Sequence, residues 1–101
     1  VSFVLEQKDI PVSPAAAAVC EVLGLDPLYV ACEGRAVITV DPGGVDRALS
    51  ALRRHPLGAN AAVIGGVAEA SSRTVRVLLR TPFGGVRALD LLSGMDLPRI
   101  C

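Results

Sequence analysis

Residues 74–91, TVRVLLRTPFGGVRALDL, decide the fold, because two strand-like segments flank a pair of glycines. Within residues 74–80 apolar and basic side chains alternate, and a period of two is typical of a half-buried strand. The apolar set is Val75, Val77 and Leu79, and the opposite set includes Arg76 and Arg80. Gly84-Gly85 favours a tight turn, and residues 86–91 resume the apolar pattern. The stretch therefore predicts a β-hairpin.

The clearest helix signal lies upstream, at residues 14–23. Ser13 supplies a capping hydroxyl, Pro14 suits the first helical position, and Gly24 suits the left-handed position after the last turn. The segment is apolar on almost every side, so we expect it to be buried on more than one face. Cys20 lies within it and is interpreted as a small buried hydrophobe.

The other elements follow from turn residues and periodicity. We predict strands at residues 2–5, 35–40 and 61–67, a short helical turn at 27–31 and a second helix at 44–54. The run at 61–67 is continuously apolar, which favours a central strand covered on both faces. The order of strand, helix, strand, helix and three strands predicts an α+β layered sandwich.

Composition excludes several classes of protein. Ten basic and ten acidic residues give no net charge, whereas nucleic-acid binders normally carry a basic excess. No apolar run approaches the ~20 residues of a membrane span. There is no signal-peptide pattern and the cysteine count is odd, so we expect a cytoplasmic protein. His55 is the only histidine and no Cys-x-x-Cys occurs, so we expect no metal site and interpret His55 as a helix-terminating residue with a satisfied ring.

The last residues, Leu97-Pro98-Arg99-Ile100-Cys101, put a thiol at the end of the chain. Chain ends are usually mobile, and residues 94–101 are predicted to form a flexible tail. From the residues alone, Cys101 is a chance terminus, a partner for Cys20 or Cys32, or a functional thiol on an arm. Prenylation is disfavoured because it requires three residues after the cysteine.

Motifs along most of the chain resemble the HypE family of hydrogenase expression/formation proteins. They occur in one order, and it is this ordered set together with the terminal thiol that is specific. The motifs are Ile10-Pro11-Val12, LGLDPLYVA at 23–31, Glu33-Gly34, His55-Pro56-Leu57-Gly58, AAVIG at 61–65, Thr81, Phe83-Gly84-Gly85 and residues 97–101. The resemblance reaches from about Ile10 to Cys101.

This resemblance implies a fold and a place in a longer protein. The fold would be a layered α/β sandwich of the aminoimidazole ribonucleotide synthetase C-terminal type, with a mixed sheet covered by helices. Residues 1–101 would form a single domain in the C-terminal half of an ATP-dependent chain. The sequence has no Walker or dinucleotide-binding motif, so the resemblance places ATP and its magnesium mainly on the absent N-terminal half.

The resemblance also implies a reaction, an ATP-dependent carbamoyl dehydration of the lyase class. A carbamoyltransferase, HypF, would load a carboxamide onto the sulfur of Cys101, and dehydration would leave a thiocyanate. Cyanide would then pass to iron held by a HypC–HypD complex during maturation of nickel–iron hydrogenases. The full-length protein would form a homodimer through its absent half, and the isolated fragment would be inactive.

Glu33 is the candidate base, because removing protons from the carboxamide nitrogen calls for a positioned carboxylate. A solvent-exposed turn glutamate is the simpler interpretation of the same residue. Two other functions stay open: a non-catalytic docking module for a maturation partner, and the C-terminal domain of another synthetase of the same superfamily.

Overall fold

The computed structural model describes residues 1–69 and 76–89, and these fall into two compact units. The first unit contains residues 1–11, 40–69 and 76–89, and the second contains residues 12–39. Within these described residues no helix is both long and apolar enough to cross a membrane. The prediction that residues 1–101 form one domain stays a prediction.

A four-stranded sheet forms the first unit. Its strands are β1 (Ser2–Glu6), β2 (Gly65–Ala68), β3 (Arg76–Arg80) and β4 (Val86–Ala88), in the spatial order β2-β1-β3-β4. β1 pairs with β2 antiparallel and with β3 parallel, and β3 pairs with β4 antiparallel. The predicted α+β class with a mixed sheet is therefore confirmed.

The pairing of β1 with β3 holds the most buried side chain of this unit. Leu79 is completely buried, and every residue of β1 is half-buried. Arg76 and Arg80, at the two ends of β3, stay exposed. The alternation predicted for residues 74–80 is thus confirmed over the described part, 76–80.

The predicted hairpin is also present. Thr81 N–H donates to the Gly85 carbonyl oxygen at 2.8 Å, and Gly85 N–H donates to Thr81 Oγ1 at 3.0 Å. Gly84 has a φ of 85°, a left-handed conformation that glycine adopts at no steric cost. Residues 90 and 91 of the predicted second strand lie outside the described residues, as does the tail at 94–101.

The strand predicted at 61–67 is confirmed only for residues 65–67 and not as a central strand, and the strand predicted at 35–40 is wrong. Residues 61–64 have no regular structure, and β2 begins only at Gly65 and lies at the edge of the sheet with all four residues exposed. The centre is taken by β1, which has partners on both sides, so β2 is left with one neighbour. Residues 35–40 form no strand in the described structure and are exposed. Their β-branched pattern suits a strand, but a strand also needs a hydrogen-bonded partner.

Helix α1 (Pro14–Leu23), in the second unit, has the predicted bounds and caps. Ser13 Oγ accepts from the Ala16 N–H at 3.2 Å, and Gly24 has a φ of 69°. The predicted burial is not found, because Cys20 is the only residue of α1 that is buried. Residues 35–39, which belong to the same unit, form no strand that could cover it.

Helix α2 (Val45–Arg53) lies in the first unit, close to its predicted bounds of 44–54. A 3-10 turn at Pro42–Gly44 precedes it and another at Pro56–Gly58 follows it. Val45, Ala48, Leu49 and Leu52 lie on one face of α2 at helical spacing; the first three are half-buried, and Leu52 is 38 % exposed. The predicted turn at 27–31 is a 3-10 turn at Pro27–Tyr29, capped by Asp26, whose Oδ1 accepts from the Leu28 N–H.

Candidate functional site

Glu33, the candidate base, lies on an exposed loop of the second unit. The chain reverses at Gly34, whose φ of 76° is left-handed. A β-carbon at Gly34 would meet no atom within 4 Å, so glycine is required there by the backbone conformation and not by crowding. This geometry presents Glu33 to solvent, where a carboxylate can accept a proton but is not yet held against any reacting group.

Cys32, the residue that precedes Glu33, has a free and exposed thiol. Cys32 Sγ lies 3.9 Å from the Glu33 main-chain carbonyl oxygen, at the long end of a thiol hydrogen bond. Cys20 is also a free thiol, but it is buried in α1 as predicted. Among the described cysteines, Cys32 is therefore the one that solvent reaches.

Cys101, the predicted carrier, lies outside the described residues together with the rest of residues 90–101. The structure therefore does not test whether its sulfur meets Glu33. Both assignments stay predictions.

An ion pair that the sequence did not predict lies at the end of the β1–β3 ladder. Arg80 Nη1 donates to Glu6 Oε1 at 3.1 Å, and the two residues face each other in the parallel register. They are 74 residues apart in sequence, so only the strand register, and no local motif, could have paired them. Exposed pairs of this kind typically contribute ~0–1 kcal/mol, so we assign it an orienting role.

The pair lies in an open groove of about 290 Å³ beside the β3–β4 turn. The groove is lined by Glu6, Lys8, Arg80, Thr81, Pro82, Gly84, Gly85 and Val86. It therefore offers two cationic side chains and one carboxylate to a polar partner.

His55 has the satisfied ring that the sequence predicts. It precedes the 3-10 turn at Pro56–Gly58, and its Nδ1 accepts from the Leu57 N–H at 3.1 Å. In the described part of the chain, no three His, Cys, Asp or Glu side chains lie close enough together to hold a metal ion. The ring is thus used as a cap for a turn.

The family profile of the AIR synthase related protein, C-terminal domain, matches residues 2–78, about three quarters of the chain. The chain belongs to this family. The fold predicted from the resemblance, of the aminoimidazole ribonucleotide synthetase C-terminal type, is confirmed by this match.

This AIR synthase related domain is similar to named HypE proteins over its full length. It is 50 % identical over 101 residues to the carbamoyl dehydratase HypE of Rhizobium leguminosarum bv. viciae and, equally, to that of Cupriavidus necator. The predicted resemblance to HypE is therefore confirmed. The chain spans only 28 % of the length of each of these relatives.

The solved structures to which this AIR synthase related domain is similar are also HypE proteins. A crystal structure of the hydrogenase maturation protein HypE superposes with a TM-score of 0.89 at 36 % identity, covering 99 % of this chain and 32 % of that one. A HypE solved in complex with ATP gives 0.83 at 31 % identity, covering 94 % of this chain and 30 % of that chain. A chain of a HypE–HypF complex superposes with a TM-score of 0.79 at 29 % identity. The match covers 89 % of this chain and 28 % of that chain.

Proposed function

We propose that this chain is part of an ATP-dependent carbamoyl dehydratase that acts in the maturation of nickel–iron hydrogenases. The observation that carries the proposal is the 50 % identity to proteins named carbamoyl dehydratase HypE, which extends over all 101 residues and so includes Cys101. A docking module would require similarity only on its contact surface.

In the proposed reaction the sulfur of Cys101 carries the substrate as an S-carboxamide. ATP would transfer its terminal phosphoryl group to the carboxamide oxygen and leave as ADP. The carbon–oxygen bond would then break with release of inorganic phosphate, while the two protons of the nitrogen pass to a base and to solvent and the carbon–nitrogen bond becomes triple. The product is a thiocyanate on the same sulfur. Sulfur suits this task because its thiolate is a strong nucleophile and a tolerable leaving group when cyanide is passed to iron.

Glu33 is proposed to take a proton from the nitrogen. Its exposure in the described structure leaves its carboxylate accessible to a substrate. A general base must come within about 2.6–3.2 Å of the proton-bearing atom, so the proposal requires the carboxamide carried by Cys101 to come that close to Glu33. Gly34, in a left-handed conformation, forms the bend that follows Glu33.

ATP and magnesium are proposed to bind mainly to parts of the natural protein outside these residues, since the sequence has no phosphate-binding glycine motif. The HypE solved with ATP supports nucleotide binding by the longer protein. HypF is the proposed carbamoyl donor, and the HypE–HypF complex supports it. We further propose that a HypC–HypD complex accepts the cyanide. The full-length protein is proposed to be a homodimer located in the cytoplasm.

The carrier assignment is tested with the full-length protein, HypF, carbamoyl phosphate and ATP. Peptide mass spectrometry should find the cyano group on Cys101, and Cys101→Ser should abolish it because an alcohol is a much weaker nucleophile than a thiolate. Cys32→Ser is the matched control and should retain full labelling. HypF binding should survive Cys101→Ser, which excludes misfolding as the cause. A cyano group that persists elsewhere after Cys101→Ser would contradict the assignment.

The base assignment is tested with Glu33→Gln, which keeps the shape and removes the proton acceptor. We expect normal carbamoyl loading but dehydration slowed roughly 10²–10⁴-fold, measured by quenched single-turnover mass spectrometry. Glu21→Gln, an exposed position on α1, should leave both steps unchanged. An unchanged dehydration rate in Glu33→Gln would assign the base elsewhere.

A further inference from the structure

The segment between α1 and Glu33 contains a series of hydrogen-bonded turns, all within the second unit. Leu25 N–H donates to the Cys20 carbonyl oxygen at 2.8 Å, so the chain stays attached to the last turn of α1 as it leaves the helix. The 3-10 turn at Pro27–Tyr29 follows and contacts α1. Because Glu33 comes shortly after this turn, the turn connects the helix to the proposed base.

Asp26 caps this turn with both its side chain and its main chain. Its Oδ1 accepts from the Leu28 N–H at 3.0 Å, and its carbonyl oxygen accepts from the Tyr29 N–H at 3.0 Å. Its backbone is extended, which is the usual conformation of a capping residue. A capping oxygen satisfies an N–H group that has no partner within the turn, so loss of the oxygen frays the start of the turn.

The capped turn is the last hydrogen-bonded anchor before Glu33. Val30 N–H donates to the Pro27 carbonyl oxygen at 3.4 Å, whereas in the described structure the N–H groups of residues 31–33 donate to no other group. Glu33 is therefore connected to the anchored part of the chain by a short stretch without such hydrogen bonds. A shift of the turn moves the start of this stretch, and with it the Glu33 carboxylate.

We propose that Asp26 is a positioning residue for the dehydration step, because its side chain holds the turn that sets where the Glu33 carboxylate lies. The proposal rests on the assignment of Glu33 as the base. A base must come within about 2.6–3.2 Å of the atom that loses the proton, and a displacement of ~1 Å costs up to about 10²-fold in rate. The capping contact needs only an oxygen acceptor, so the negative charge of Asp26 has no part in this role.

Single-turnover dehydration in the full-length protein, loaded by HypF with carbamoyl phosphate and ATP, tests the proposal. We expect Asp26→Ala to slow dehydration about 10–100-fold and to leave carbamoyl loading of Cys101 unchanged. Asp26→Asn keeps the oxygen acceptor and should retain a rate within about threefold of the unsubstituted protein. The double variant Asp26→Ala, Glu33→Gln should be no slower than Glu33→Gln alone, because Asp26 acts only through Glu33.

Ser13→Ala is the matched control. Ser13 Oγ caps the opposite end of α1 by accepting from the Ala16 N–H at 3.2 Å, so its removal costs stability in the same unit and leaves the turn before Glu33 intact. Caps of this kind stabilise by similar amounts. Ser13→Ala should leave the dehydration rate unchanged. An equal slowing by Ser13→Ala and Asp26→Ala would overturn the proposal, because that result assigns the effect to lost stability.

Other results would overturn the proposal at different points. A rate as slow in Asp26→Asn as in Asp26→Ala would assign the effect to the charge of Asp26. An unchanged rate in Asp26→Ala, with Glu33→Gln slow, would show that the turn does not position the base, and the proposed function would stand. An unchanged rate in Glu33→Gln would instead refute the base assignment and this proposal with it.

Discussion

At the scale of single residues, the two neighbouring glycines of β2 have different reasons to be glycine. A β-carbon at Gly65 would overlap the Val4 carbonyl oxygen and lie 2.8 Å from the Leu5 Cα, both on β1. A β-carbon at Gly66 would meet nothing within 4 Å. The absent side chain at Gly65 therefore allows β1 and β2 to approach, while Gly66 has no such role.

Gly65→Ala should therefore destabilise the protein and Gly66→Ala should not. We expect Gly65→Ala to lower the free energy of unfolding by ~1–3 kcal/mol, as overpacking typically does. For Gly66→Ala we expect a change within about 1 kcal/mol of zero. Urea denaturation of the full-length variants measures the difference in the free energy of unfolding. Hydrogen exchange of the β1 amides in the folded variants shows whether the change is local to β1. Equal stability of the two variants would show that β1 and β2 do not approach as described.

Sequence reasoning succeeded at residues whose role is local. Ser13 and His55 each accept a hydrogen bond from an N–H within three positions, so short-range patterns are sufficient to predict them. It missed the Glu6–Arg80 pair, because that contact depends on strand register between residues 74 positions apart.

At the scale of elements, β3 provides the only fully buried side chain among the described residues. Leu79 is completely buried and its neighbour Leu78, which points to the other face, is half-buried. The two faces of this strand therefore differ in burial, as the alternating sequence of residues 76–80 predicts.

Leu79→Ala should accordingly be the more damaging of two matched substitutions. We expect it to cost ~2–5 kcal/mol through lost burial and the cavity left behind. Leu78→Ala removes the same atoms from a half-buried position and should cost clearly less. Chemical denaturation of both full-length variants gives the comparison. A larger loss for Leu78→Ala would mean that the opposite face of β3 is the buried one in the complete protein.

Elements with their own boundary signals were predicted well, and those that depend on distant partners were not. Caps and a left-handed glycine define α1, and a glycine pair defines the β3–β4 turn, so both are encoded locally. The runs at 35–40 and 61–67 predict only that the residues suit strands. The position of each strand in the sheet depends on which strands pair with β1. A local sequence pattern does not predict that long-range pairing.

At the scale of the whole molecule, the chain is a family domain similar to little more than a quarter of longer proteins. Because the chain corresponds to only this part of the relatives, its fold class could be predicted from its own sequence, whereas the candidate site could be predicted only in part. The motifs that carry the resemblance lie within the chain, whereas the proposed reaction also needs an ATP site, which is proposed to lie mainly outside it. Cys101 lies beyond the described residues, and Glu33 lies on an exposed loop.

The isolated 101 residues should consequently bind ATP weakly and carry out no dehydration. Isothermal titration of the fragment with ATP and magnesium should show no binding in the micromolar range, because the sequence lacks a phosphate-binding glycine motif. The full-length protein, titrated under the same conditions, is the positive control. Micromolar binding by the fragment alone would show that these residues contain a nucleotide site of their own.

The central place of β1 has a consequence for synthesis on the ribosome. Its partners are β2 and β3, and Arg80 is made 74 residues after Glu6. At about 5–20 residues per second, β1 waits roughly 4–15 s before β3 has been translated. Until β2 has been translated the nascent strand has unpaired backbone groups on both sides, and one side stays unpaired until β3 follows, so a chaperone that binds extended apolar peptides would find a target in β1.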